Sequence, residues 1–190
     1  KILKSKDFRK ILLIGVVIAV FQQWCGINVI FNYAQEIFTS AGYSVSDTLF
    51  NIVITGSVNM IFTFAGMFLV DRIGRKTLML LGAGGLAGIY ALTGALYYFD
   101  QQGFPLLLMV VAAIACYAMS LAPVTWVVLS EIFPNRIRGF AMSVATFALW
   151  TACFVLTYTF PLLNNILKAS GTFWVYGLIC VAGFWFILRR

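Results

Sequence analysis

The sequence predicts an all-α, polytopic membrane protein, and three observations carry that prediction. Hydrophobic residues make up 62% of the 190-residue chain and charged residues only 10%, which leaves too little polar surface to cover a water-soluble domain. The charges gather in four short clusters, Lys1–Lys10, Asp71–Lys76, Arg136–Arg138 and Arg189–Arg190. Between clusters lie apolar stretches long enough to cross a bilayer twice each, at roughly 20 residues per crossing. Six spans are expected, at about 11–38, 47–70, 77–99, 104–133, 140–163 and 172–188, with a basic segment at 1–10 and a basic end at 189–190.

Twelve of the thirteen Lys and Arg residues lie at the two ends or in the second and fourth connections, leaving only Lys168 for the other three. Positive residues stay cytoplasmic, so both termini are expected inside a cell membrane, inner or plasma. The net charge of +7 then reports topology and contact with anionic headgroups. Short basic flanks do not make the continuous patch that nucleic acid requires. Cys25, Cys116, Cys153 and Cys180 all fall inside apolar spans, as packing thiols do. The chain has no His and no Cys pair at ligand spacing, so neither a metal nor a cofactor is expected. It starts at Lys1, already within a basic connection leading into a span, and reads as the second half of a longer protein.

The first span carries Gln22, Gln23, Gly26, Asn28, Asn32 and Gln35, a heavy load of amides for hydrocarbon. Asn28, Asn32, Gln35 and Thr39 share one helical face, but Gln22 lies about 240° around from Asn28 at roughly 100° per residue. A break between Gly26 and Tyr33 would let both sets converge near mid-membrane, and irregular backbone is tolerated there only beside a cavity or inside protein. The alternative is that these amides only bond neighbouring helices. The second span aligns Thr48, Asn51, Thr55, Asn59 and Thr63, and the fifth aligns Ser143, Thr146, Trp150, Cys153 and Thr157; both stripes are expected to point inward.

The third span is bland, and its Gly84 and Gly88 suggest close helix packing. The fourth holds Pro123, Thr125 and Trp126, with Glu131 near its cytoplasmic end; Pro123 predicts a bend. The sixth is as bland as the third. Two bland spans three apart predict a three-plus-three inverted repeat, with the third helix of each triplet toward lipid and the others lining a path. Amides beside large aromatic faces suit an uncharged polyhydroxylated ligand, and no charge at mid-span favours an ion. Nothing resembles an enzyme's acid–base pair or activated nucleophile.

The runs Gln22–Tyr33 (QQWCGINVIFNY), Asp71–Lys76 (DRIGRK), Pro123–Trp126 (PVTW) and Ser130–Gly139 (SEIFPNRIRG) together resemble the carboxy-terminal half of the sugar porters of the major facilitator superfamily. Bacterial xylose–proton symporters and animal glucose facilitators are especially similar. The resemblance implies half of a twelve-helix monosaccharide transporter working by alternating access, completed by an amino-terminal half. It implies that Gln22, Gln23, Asn28 and Asn59 bond sugar hydroxyls while Trp126 and Trp150 form an aromatic wall. Tyr33 matches the second tyrosine of the family's gate pair, and Asn32 replaces the first. Pro123 would let a cavity wall move, and Arg72 and Arg75 would meet Glu131 in a cytoplasmic charge latch. Leu121, Leu149 and Cys153 stand where relatives carry Trp, an amide and Asn, which suggests fewer sugar contacts. Proton symport and facilitated diffusion, and pentose and hexose, stay open. A membrane sugar sensor, or a drug or metabolite exporter of the same superfamily, is the alternative.

Overall fold

The computed structural model describes residues 6–33, 44–101 and 103–189, which are helical almost throughout and contain no strand. Seven helices follow among them: α1 (Lys6–Trp24), α2 (Ile27–Asn32), α3 (Val45–Ile73), α4 (Arg75–Tyr98), α5 (Phe104–Met119), α6 (Leu121–Ile132) and α7 (Arg138–Arg189). A helix satisfies its own backbone, which apolar surroundings demand. The first span is α1 plus α2 and the fourth is α5 plus α6; α3 and α4 are the second and third. Residues 34–38 of the expected first span, with Gln35 and Thr39, lie outside the described residues.

The fifth and sixth spans are both in α7. Its 52 residues would reach about 78 Å if straight, more than twice the roughly 30 Å hydrocarbon layer. Lys168 (φ 58°, ψ 176°) interrupts it. The two arms return to one neighbour: Thr157 of the first arm meets Asn32, and the Cys180 thiol of the second lies 3.8 Å from the Cys25 carbonyl oxygen. The connection expected over 164–171 is therefore helical except at Lys168. Thr172 Oγ1 donates to the Lys168 carbonyl at 2.9 Å, securing the first turn after the break.

Contacts repeat when the first three spans are exchanged for the last three. Spans one and four meet where Gly15 lies under Phe133 and where Gln22 Nε2 donates to the Ala122 carbonyl at 3.4 Å. Span three runs along span six: Trp174 Nε1 donates to the Ala91 carbonyl at 3.2 Å, Tyr97 stacks on Phe173 at 5.6 Å, and Lys76 Nζ donates to the Leu188 carbonyl at 3.0 Å. Span two packs on span four through Gly66 against Met119, as span five packs on span one through Trp24 Nε1 and the Ala152 carbonyl at 3.2 Å. Span three meets four at Gly82 and Ser120, as six meets one at Gly183 and Phe21. The first span of each triplet is interrupted, at Gly26 and at Ser120. The fold is an inverted three-plus-three repeat.

Two packing expectations change. The bland spans do not simply face lipid: they bury one side against each other through Leu78, Leu86, Tyr90, Phe173 and Tyr176, and leave Leu81, Leu92, Leu178 and Trp185 outside. The close approaches in α4 come from Gly82, Gly85 and Gly94, whereas a side chain at Gly88 would meet nothing within 4 Å and one at Gly84 only Phe184 at 3.5 Å. Span two is the least buried of the membrane-crossing helices, with Phe50, Met60, Phe64 and Phe68 on the chain's surface.

Candidate functional site

The amides of the first span converge because the helix breaks between them. Gly26 takes φ 87°, ψ −4°, a left-handed conformation that glycine adopts without a Cβ penalty. A Cβ there would also come within 2.8 Å of Cγ of Tyr176. The reset direction lets a side chain of α2 reach α1: Asn28 Nδ2 donates to Gln23 Oε1, Gln23 Nε2 donates to Gln22 Oε1 at 3.3 Å, and Gln22 Nε2 donates to the Ala122 carbonyl. Three amides that a straight helix would splay apart thus form one relay. Gln22 and Gln23 are buried and Asn28 is half-buried.

The relay ends in the interrupted fourth span. Pro123 is the third residue of α6, where its missing N–H is one of the donors a helix start leaves unpaired. The chain bends at Ser120 (φ −119°, ψ −82°), and Val124 N–H donates to the Ser120 carbonyl at 3.2 Å. Trp126, one turn on from Ala122, is partly exposed at 39%, and Trp150 on the first arm of α7 is exposed at 63%. Both indoles keep open faces. Thr125, next to Trp126 in α6, is fully buried, and its hydroxyl has no partner among the described residues.

The other expected polar residues are divided between inward and outward positions. Asn59 is half-buried on α3 and makes no hydrogen bond from its side chain among the described residues; its carbonyl accepts from Thr63 at 2.7 Å. Asn51 and Thr55 on the same stripe do turn inward, at 4% and 3% exposure, while the Thr48 side chain lies outside the described residues. Ser143 of the fifth-span stripe is exposed and bonds its own backbone at Gly139. Leu121 and Leu149 are buried in helix packing, Leu149 against Ala19, Leu129 and Ala145.

At the opposite end of the first span sits the charge cluster. Gly74 (φ 91°, ψ 148°) turns the chain between α3 and α4, and Arg75 donates through Nη2 to Glu131 Oε1 at 2.9 Å and through Nε to both carboxylate oxygens at 3.3 Å. Asp71 Oδ1 is 3.2 Å from Arg75 Nη2. Arg72, expected in the same latch, is exposed and has no salt bridge among the described residues. A cavity of about 520 Å³ lies here, lined by Ile14, Ile18, Met79, Val128 and Phe186 beneath Arg75 and Glu131; none of the amides borders it.

Tyr90 and Tyr176 were not singled out by sequence reasoning. Both are buried with hydroxyls lacking a partner among the described residues, and a tyrosine in each of the two blandest spans was the available signal.

A family model described as sugar (and other) transporter matches residues 1–190. The chain belongs to this sugar transporter family. Among family members, it is 40% identical over 178 residues to the D-xylose-proton symporter of Escherichia coli (strain K12), covering 90% of this chain and 36% of that protein. It is 37% identical over 175 residues to the glucose facilitated diffusion protein of Zymomonas mobilis, covering 89% and 37%. The solved major facilitator superfamily proton:xylose symporter XylE, bound to 6-bromo-6-deoxy-D-glucose, superposes with a TM-score of 0.86 at 38% identity, over 94% of this chain and 39% of that one. The chain thus spans well under half the length of these relatives. It is an integral membrane protein of the major facilitator sugar porter type.

Proposed function

We propose that this chain is the carboxy-terminal half of a monosaccharide transporter that works by alternating access, with both of its ends cytoplasmic. The observation that carries the reading is the Asn28–Gln23–Gln22 relay at the break of the first span. Buried amides already joined to one another can exchange those bonds for bonds to a neutral polyol, since each offers both donors and acceptors. The exposed faces of Trp126 and Trp150 supply surfaces for sugar C–H groups, and an amino-terminal half would close the site from the other side. Relatives named for xylose and glucose support the substrate class. The Arg75–Glu131–Asp71 cluster acts as a latch between two states of similar energy. The protein is a carrier and makes no covalent bond.

The test is uptake of radiolabelled D-xylose and D-glucose into liposomes containing the full-length protein. Saturable uptake is expected, with Glu131→Gln retaining sugar binding but losing most transport. Enhancement by an inward proton gradient would make it a symporter, and indifference to the gradient a facilitator. Binding without uptake would make it a sensor, and export of apolar cations with no response to sugars would make it an exporter; either overturns the proposal.

A further inference from the structure

The six-residue helix α2 is too short to hold its own position in isolation, so its contacts decide where it sits. Beyond the Gly26 hinge, its far end is fastened to one turn of the fifth span. Asn32 Nδ2 donates to Thr157 Oγ1 at 3.2 Å, Tyr33 Oη donates to the Thr157 carbonyl at 3.1 Å, and the Tyr33 and Phe160 rings lie 4.5 Å apart. The Thr157 carbonyl is free to accept because its helical donor would be residue 161, which is Pro161; proline has no N–H and leaves the carbonyl four residues earlier unpaired. One residue thus offers two acceptors to consecutive residues of the first span.

We infer that Thr157, with the carbonyl freed by Pro161, is a positioning residue for the sugar site: a clasp that holds α2 against the fifth span and thereby keeps Asn28 on Gln23. This rests on the amide relay being the sugar site. Releasing the clasp lets α2 swing about Gly26, which separates Asn28 from the α1 amides and uncovers the fifth-span face carrying Thr157 and, one turn earlier, half-buried Cys153. Affinity for sugar and access to that face are therefore coupled.

The experiment uses the full-length protein in liposomes and two readouts: D-xylose and D-glucose affinity, and the rate at which a maleimide labels Cys153, read by mass spectrometry. Thr157→Val, Asn32→Ala and Pro161→Ala should each speed labelling and weaken binding by about fivefold, the size of one modest hydrogen bond. Thr157→Ser, which keeps the hydroxyl, should behave as the parent. The Asn32→Ala/Thr157→Val double variant should be no worse than Thr157→Val alone, because the two share one bond. Unchanged labelling and affinity in all three single variants would overturn the clasp. A parent protein that binds neither sugar would instead overturn the sugar reading, and faster labelling in the variants would still support the clasp.

Discussion

Gly26 is the residue on which the site's geometry turns, because it alone lets Asn28 reach back to Gln23. Replacing it with Ala adds a Cβ in a left-handed backbone and against the Tyr176 ring. Gly26→Ala is expected to destabilise the full-length protein by about 1–3 kcal/mol and to weaken sugar affinity with it. An unchanged thermal midpoint in detergent would mean that α1 and α2 can rejoin as one continuous helix. The amides and the break between them were legible in the sequence, since Gln22, Gln23 and Asn28 stand out against an apolar background and cannot share a face. The Thr157 acceptors were not: Pro161 advertises a free carbonyl four residues back, but the Tyr33 hydroxyl that takes it lies 124 residues away in the chain. The burial of Leu121 and Leu149 was not legible either, since a departure from a family pattern does not say whether the position faces an opening or a neighbouring helix.

At the scale of the elements, hydropathy and charge spacing located six crossings, and the alternation of polar and bland spans gave the inverted repeat. Helix pairing was less legible because small residues on α4 are abundant and only the fold selects which of them are close. Gly84 and Gly88 have the spacing of a packing motif, yet a Cβ at Gly88 would meet nothing within 4 Å and one at Gly84 only the Phe184 ring, while Gly66 on α3 takes the Met119 backbone, whose carbonyl Pro123 cannot engage. Gly66→Val should therefore cost about 2 kcal/mol or more through forced separation of the second and fourth spans. Gly88→Val should stay within about 0.5 kcal/mol of the parent. Thermal unfolding of the two variants side by side checks this, and equal midpoints would contradict the assigned pairing.

For the whole molecule, the two ends of the first span carry different chemistry: neutral amides and exposed indoles toward one end, paired charges over an apolar cavity at the other. That division suits the carrier proposed above, whose substrate site must be released by a change of state without the charges entering hydrocarbon. Arg75 pairs with Glu131 and Asp71, whereas Arg72 is exposed and has no salt bridge among the described residues. The central claim is that the relay of Gln22, Gln23 and Asn28 holds a neutral sugar. It is tested most directly by titrating D-xylose and D-glucose into the full-length protein and its Gln23→Ala variant, following intrinsic Trp fluorescence with calorimetry alongside. The account predicts saturable binding to the parent and a loss of about tenfold or more in the variant, because truncation breaks the relay on both sides and leaves buried partners unpaired. Equal affinity in the two proteins, both folded, would contradict it.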